Sequence, residues 1–216
     1  MSLRHPSRSS TPVRLTGRRV TLRPLAANDF RDWREVRQRN AEWLTVWEPS
    51  RAARQPDPTK DRSAFTARCQ QRDRDRTSGT AYQFGLFVGK ELAGEVNLNN
   101  VIRGAMQSGT LGYWIDQRHA GNAYIAEGVV VVLQFAFEQL ELHRMEICIV
   151  PRNQRSVRVM EKLAIREEGI AQRYLEINGV WEDHIRYGIT VEEWQQRRVD
   201  LMANWIELST DLTFES

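Results

Sequence analysis

Residues 112–165 read GYWIDQRHAGNAYIAEGVVVVLQFAFEQLELHRMEICIVPRNQRSVRVMEKLAI. An apolar strand at residues 111–115 runs into a tight polar turn, and a long apolar helix is predicted over residues 124–140. A second strand over residues 143–150 and a short helix over residues 156–163 follow. A turn of small residues between a strand and a helix exposes backbone N–H groups at the positive end of that helix. This stretch therefore predicts an anion-binding site.

The composition sets the class of protein. The 216 residues are 41% hydrophobic and 27% charged, which is ordinary for a globular chain with a sizeable core. We see no apolar run of membrane-spanning length and no signal-peptide pattern, so we expect a cytoplasmic protein without a membrane segment. No repeat or linker divides the sequence. We therefore expect a flexible segment at residues 1–12 and a single domain at residues 13–208.

The cysteines and the charge distribution limit which metal sites and binding partners are expected. Cys69 and Cys148 are the only cysteines and form no C-x-x-C pair, so we expect inert thiols and no metal site. The net charge is +3, with basic residues predominating before residue 90 and acidic residues after it. Acids interrupt the basic runs, as at residues 72–76. Two interpretations stay open: a solvated surface of mixed charge, or a patch that attracts an acidic macromolecule such as ribosomal RNA.

Alternating apolar residues predict a mixed sheet with helices on its faces, an α/β (α+β) fold. Two hairpins are predicted, residues 82–88 with 91–98 and residues 166–176 with 180–190, the second joined through Asn178-Gly179. The remaining predicted elements are a first strand within residues 13–25, helices after Asn28 and over residues 61–72, a loop or broken helix over residues 42–57, a strand at residues 109–115 and a final helix at about residues 191–207.

Two motifs with regular spacing narrow the choice of anion. The first is Arg118-x-x-Gly121-x-Ala123, between the strand and the long helix. The second is Asn153-x-x-Ser156, which follows the next strand. Together they resemble the pyrophosphate loop and the following helix of the GNAT acetyltransferase superfamily.

Further segments resemble the RimJ/RimL-like branch of that superfamily, the ribosomal-protein-alanine N-acetyltransferases, over residues 13–194. These segments are residues 15–25, 112–116, 142–146, 166–169 and 181–184. One departure is Ala164-Ile165, where the family usually has Gly-Phe. Because alanine avoids the left-handed conformation that often ends such a helix, we expect a locally different C-cap.

The resemblance implies the GNAT fold, with a mostly antiparallel mixed sheet, and acetyl-CoA as the acetyl donor. It implies direct transfer in a ternary complex to an amine, most simply the N-terminal α-amine of a ribosomal protein, with ribosome association. A small-molecule or antibiotic N-acetyltransferase and a non-catalytic acyl-CoA-binding module stay open as alternatives. The chain is expected to be a monomer or a homodimer.

The resemblance also implies residue roles. Acetyl-CoA contacts are expected from Tyr113, Trp114, Ile115, Arg118, His119, Ala120, Gly121, Asn122, Ala123, Tyr124, Asn153 and Ser156. Glu95 is the first candidate for a general base working through water, and Ser156 for the proton donor to the thiolate, because Met160 replaces the tyrosine common in the superfamily. The alternatives are a surface carboxylate at Glu95, a solvent-facing Arg118, and helix-capping roles for Asn153 and Ser156.

Acceptor contacts are expected from Trp43 and Trp47, which alternatively pack into the core. Tyr174 and Trp181 on the last hairpin could close the other side. Asp183 and His184 are further candidates, and adjacent strand residues point to opposite faces, so at most one faces the cleft. An apolar stripe on the last helix is expected to pack on its own domain, with a dimer contact as the alternative. The stripe consists of Trp194, Leu201, Trp205 and Leu208.

Overall fold

The computed structural model describes residues 13–51 and 55–206, and the predicted flexible segment at residues 1–12 lies outside them. The strands form one eight-stranded sheet in the order β1-β2-β3-β4-β5-β6-β8-β7. All neighbouring pairs are antiparallel except β5 and β6, which confirms the predicted mixed sheet. The strands are β1 (Leu15–Thr16), β2 (Val20–Arg23), β3 (Tyr82–Val88), β4 (Glu91–Ile102), β5 (Ser108–Ile115), β6 (Arg144–Ile149), β7 (Arg166–Ile177) and β8 (Val180–Thr190).

Six α-helices flank the sheet within the described residues. They are α1 (Phe30–Arg39), α2 (Ala41–Thr45), α3 (Arg62–Ser78), α4 (Tyr124–Gln134), α5 (Gln154–Lys162) and α6 (Val191–Trp205). Residues 125–133 of α4 are all buried, because this helix is apolar on every side and packs between the sheet and the neighbouring helices. No helix of the described part of the chain is long and apolar enough to span a membrane.

The first predicted strand is broken into β1 and β2 by a tight turn. The Gly17 N–H donates to the Val20 carbonyl oxygen at 2.8 Å. A Cβ atom at Gly17 would lie 2.7 Å from the Oε1 atom of Glu127 on α4, so only glycine allows this close approach. The buried Glu127 carboxylate in turn accepts the Val20 N–H at 2.9 Å.

The long predicted helix changes its geometry before it ends. The α-helical part stops at Gln134, and residues Phe135–Gln139 form a π-helical turn closed by a 3.1 Å hydrogen bond from the Leu140 N–H to the Phe135 oxygen. The wider turn coincides with three consecutive buried residues, 135–137. The predicted loop or broken helix at residues 42–57 overlaps the short helix α2, which begins at Ala41 and is separated from α1 only by Asn40.

The end of α5 corrects the prediction of a different C-cap. Ala164 adopts the left-handed conformation, with φ of +47°, that the family's glycine would take. The Ala164 N–H donates to the Glu161 oxygen and the Ile165 N–H to the Met160 oxygen, both at 3.0 Å. These are the two bonds of a Schellman motif. Burial of Ile165 and Met160 holds the chain in this conformation despite the steric cost to alanine.

The last helix packs on its own domain, as expected. Trp194 and Leu201 are buried in the main core, and Trp205 packs against it. Leu208 and the end of the predicted helix lie outside the described residues.

Candidate active site

A cleft of about 610 Å³ opens where β5 and β6 separate. The two parallel strands pair only over residues 108–110 and 144–146. Successive residues of β5 point to opposite faces of the sheet. Tyr113 packs against the core that contains α4, whereas Trp114 packs against the smaller cluster around Trp33 and Phe65 of α1 and α3. We call these the α4 face and the α1 face; the cleft has walls on both.

The loop between β5 and α4 is tied to the end of α1 through Asp116. The buried Asp116 carboxylate accepts hydrogen bonds from Arg39 and, at 2.8 Å, from Asn40 Nδ2. Burial alone would raise the pKa of Asp116, but the bonds from Arg39 and Asn40 outweigh it and hold the pKa below the usual range. The Asn40 Oδ1 atom also accepts the Gln117 N–H at 2.9 Å. These bonds hold the start of the loop against the end of α1.

The α4 face presents backbone donors to the cleft. The N-cap residue of α4, Ala123, has φ of +62° and gives the helix no side-chain cap. The first N–H groups of a helix have no partner within the helix, and here residues 124–126 line the cleft. Gly121, with φ of +84°, turns the loop just before them. This end of α4 suits a phosphate group, since the helix dipole adds to its exposed donors.

The loop residues divide between the cleft and the outside. His119, Ala120, Gly121, Ala123 and Tyr124 line the cleft. Arg118 and Asn122 are exposed and do not line it. The Asn122 side chain braces the loop by donating to the His119 oxygen at 3.3 Å. The predicted phosphate contact of the Arg118 side chain is therefore not supported by this geometry, whereas the contact expected from the Asn122 backbone N–H does not depend on where its side chain lies.

The N-terminus of α5 forms another wall of the cleft. Asn153 and Ser156 both line it. Asn153 is also the N-cap of α5, since its Oδ1 atom accepts the Ser156 N–H at 3.3 Å. The Tyr113 hydroxyl lies 3.3 Å from the Ser156 carbonyl oxygen, and burial raises the pKa of Tyr113. Tyr113 is thus a neutral hydrogen-bond donor, and its high pKa makes it a poor acid.

A basic stripe on α5 was not predicted from the sequence. Arg155, Arg158 and Lys162 line the cleft at helical spacings of three and four residues. Arg155 lies within Asn153-x-x-Ser156 and the other two follow it; this spacing was the available signal, because residues three and four apart share one face of the helix. The stripe suits an anionic ligand at this end of the cleft.

Glu95 does not fit its predicted role as a general base. Its side chain is fully buried and does not line the cleft. The carboxylate accepts hydrogen bonds from Trp33 Nε1 at 2.7 Å and from Arg68 Nη2 at 2.8 and 2.9 Å, and lies 2.9 Å from Arg72 Nη2. Although burial raises its pKa, the charges of Arg68 and Arg72 outweigh this and lower the pKa well below the usual range. A carboxylate held as the anion by two cations is a weak base.

The predicted acceptor tryptophans both line the cleft, and each carries an arginine on its indole face. The guanidinium of Arg155 lies 4.4 Å from the Trp43 ring centre, and that of Arg152 lies 4.6 Å from Trp47. Trp43 Nε1 also donates to the Ile115 carbonyl oxygen at 3.1 Å. Cation–π contacts of this kind hold the rings in place.

The hairpin residues predicted to touch the acceptor do not line the cleft. Tyr174 packs edge-on against His184, with ring centres 5.7 Å apart. Asp183 accepts the N–H of Arg173 at 2.8 Å, which supports a positive φ at Arg173 in the irregular part of β7. Trp181 is largely exposed.

Two polar residues on the α1 face were also missed. Glu48 lines the cleft, and both of its carboxylate oxygens accept from Arg37 at 2.6 Å. Asn97 of β4 lines the cleft beside Gly112 of β5, its cross-strand partner. No sequence motif marks either residue, since each acquires its place through contacts between distant segments. No cluster of potential metal ligands occurs among residues 13–51 and 55–206.

Comparison with known proteins agrees with this geometry. Residues 19–166 match the family model described as acetyltransferase (GNAT) domain. The chain is 35% identical to probable N-acetyltransferase YjcK of Bacillus subtilis over 79% of this chain and 93% of that protein. It is 31% identical to the [ribosomal protein uS5]-alanine N-acetyltransferase of Escherichia coli over 88% of this chain and 98% of that protein.

A solved structure with the same fold was obtained with a CoA-type ligand. Mycobacterium smegmatis RimJ in complex with CoA-disulfide superposes with a TM-score of 0.83 at 28% identity, covering 92% of this chain and 98% of that one. Three observations lead to one conclusion. The mixed sheet is split at β5 and β6, the N-terminus of α4 has no side-chain cap, and the family model matches. The chain belongs to the GNAT acetyltransferase family and is an acetyl-CoA-dependent N-acetyltransferase of the RimJ/RimL type.

Proposed function

We propose that this enzyme acetylates the N-terminal α-amine of a protein, most simply a ribosomal protein. The observation that carries the proposal is the similarity, over nearly the full length of both chains, to an alanine N-acetyltransferase of ribosomal protein uS5. The cleft supports it, because Trp43 and Trp47 line it and offer aromatic surface to a peptide.

The ionisable groups of the cleft also favour an α-amine. Glu48 is the one carboxylate among the described residues that line it, and Arg37 holds both of its oxygens. An α-amine has a pKa near ~8, so a useful fraction is neutral without a strong base, whereas a lysine amine, near ~10.4, needs more help. A site with no free carboxylate therefore suits an α-amine better than a lysine.

The donor would be held mainly on the α4 face. The N–H groups at the start of α4 suit the diphosphate of acetyl-CoA. Arg158 and Lys162 suit the negative charge that acetyl-CoA carries outside its diphosphate. The edge of β5 left free by β6 offers backbone groups to the pantetheine arm. When bound, acetyl-CoA supplies the activated acetyl carbonyl.

Ser156 is the proposed proton donor to the departing thiolate. It lines the cleft, whereas Met160 is fully buried in the core and has no proton to give. Neither cysteine lines the cleft, and burial raises the pKa of both thiols. This favours direct transfer to the amine without a covalent intermediate on the enzyme.

The proposal is tested by incubating the purified protein with acetyl-CoA and a peptide that has a free N-terminal alanine and an internal lysine. Mass spectrometry should find one acetyl group, on the N-terminus. The matched control is the same peptide with its N-terminus formylated, which should stay unmodified. Acetylation of a polyamine or an aminoglycoside, with the free peptide untouched, would contradict the proposed acceptor.

A further inference from the structure

Asn97 presents an oxygen atom that lacks a hydrogen-bond donor. The side chain lines the cleft, yet its Oδ1 atom is buried and accepts no hydrogen bond from the described residues. Buried amide oxygens in native proteins are nearly always paired with protein, water or ligand. An unpaired acceptor in the wall of an active-site cleft therefore points to a ligand with an N–H or O–H group.

The buried Glu95 carboxylate fixes the orientation of the Asn97 amide. Asn97 Nδ2 donates to Glu95 Oε2 at 3.3 Å. An ionised carboxylate only accepts hydrogen bonds, so the reversed amide would place two acceptors against each other. Arg68, Arg72 and Trp33 hold Glu95 in place and keep it ionised. The Oδ1 atom is consequently turned away from Glu95.

Space for a ligand lies next to this amide. Gly112 is the cross-strand partner of Asn97, and directly opposite residues share one face of the sheet. No atom lies within 4 Å of the position that a Cβ of Gly112 would occupy. Asn97, which lines the cleft, therefore lies across from an open position on the α1 face.

We propose that Asn97 binds the acceptor amine, its Oδ1 accepting a hydrogen bond from the attacking nitrogen, and that Glu95 is a positioning residue acting through Asn97. This rests on the proposed function for the nature of the acceptor. A neutral amide takes no proton, so Asn97 orients the nitrogen and leaves its lone pair free. Glu95 thereby contributes to the site without touching the substrate.

The test compares Asn97→Ala with Asn99→Ala. Asn99 is a matched control on the same strand and face, because its Oδ1 atom accepts from Gln83 at 2.9 Å and it does not line the cleft. For Asn97→Ala, kcat/KM for the acceptor should fall about 10- to 100-fold while the Kd of acetyl-CoA changes less than about 2-fold. Asn99→Ala should leave both constants within about 2-fold of wild type.

Equal kcat/KM values in the two variants would overturn the proposal, since water would then satisfy the Asn97 oxygen. The proposed function fails separately, if the wild-type enzyme acetylates a small amine but no peptide, and Asn97 is then tested with that amine.

For Glu95→Gln, the positioning role predicts that the acidic limb of the kcat/KM pH profile keeps its midpoint. Loss of that limb would show that Glu95 acts as a base. If Glu95→Gln does not fold, Asn97→Ala alone decides the proposal, because it removes the proposed contact and leaves Glu95 paired with Arg68 and Arg72.

Discussion

The two faces of the sheet beside β5 contribute to the cleft in different ways. On the α4 face the cleft is lined by backbone N–H groups and by small residues such as Gly121 and Ala123. On the α1 face it is lined by large or polar side chains whose positions depend on charge pairs, as with Glu48 and Arg37. The first arrangement follows from the local chain path. The second depends on partners as distant as Trp33 and Glu95, 62 residues apart.

This difference explains why the sequence indicates the acetyl donor more clearly than the acetyl acceptor. A loop that positions backbone donors needs only a glycine, a small residue and a helix start, so a short motif encodes it. A surface built from side chains on α1, α2 and α3 can change with each substitution. We therefore expect changes on the α4 face to alter the affinity for CoA, and changes on the α1 face to alter stability or the acceptor constants.

The largest effect is expected from Glu95→Gln. Removing the charge leaves Arg68 and Arg72 uncompensated in a buried site, which should lower the free energy of unfolding by about 3–5 kcal/mol. Urea unfolding at pH 7 measures this change. Glu91→Gln is the control, because Glu91 lies exposed on the same strand and should change stability by less than about 0.5 kcal/mol.

The pH dependence of stability tests the role of Glu95 in a second way. The pKa of Glu95 is lower in the folded state than its unfolded value near ~4.5, so its stabilisation is complete above that pH and is lost as the pH falls. The difference in stability between wild type and Glu95→Gln should therefore shrink below about pH 4.5. A difference that stays constant to pH 3 would contradict an ionised Glu95 held by arginines, provided both proteins still fold.

On the α4 face, Gly121→Val should weaken CoA binding by about 10-fold or more. The residue has φ of +84°, so valine strains the loop and should misplace the N–H groups that follow. Gly104→Val is a matched control, with φ of +70° and equally open space at its Cβ, but away from the cleft. Isothermal titration should find normal affinity for the control. Equal losses in both variants would mean that the loop has no special role.

A smaller effect separates two neighbouring arginines of α5. Arg158→Ala should raise the Kd of CoA about 3- to 10-fold, by removing an exposed cation from the donor side. Arg155→Ala should instead raise the acceptor KM, because Arg155 packs over Trp43. Titration and steady-state kinetics on both variants provide the measurement. Identical changes in both constants would contradict the division of the cleft into two sides.

The strands, the hairpins and the turn between β5 and α4 could be predicted from the sequence, because each depends on local patterns. Residues 82–88 and 180–190 form strands with the predicted limits. The role of Glu95 could not be predicted, since alternation along β4 does not say which face a helix covers. The unpaired oxygen of Asn97 was also invisible, because it results from arginines on α3 that hold its neighbour.

The smallest expected effect concerns Ala164, whose φ of +47° is costly for alanine. Ala164→Gly should stabilise the protein by about 0.5–1 kcal/mol without changing kinetics, as measured by urea unfolding. Ala203→Gly, at an exposed position of α6, should destabilise it by about 0.5–1 kcal/mol. Destabilisation by both substitutions would argue against a left-handed residue at this helix end.

A crystal structure of the protein with CoA tests the central claim most directly. The two-sided cleft predicts that the diphosphate accepts hydrogen bonds from N–H groups at the start of α4, near Gly121 and Ala126. The thiol should lie in the gap between β5 and β6, with Asn97 and Trp43 on its far side. A diphosphate bound on the α1 face, beside Arg37 or Arg68, would contradict this account.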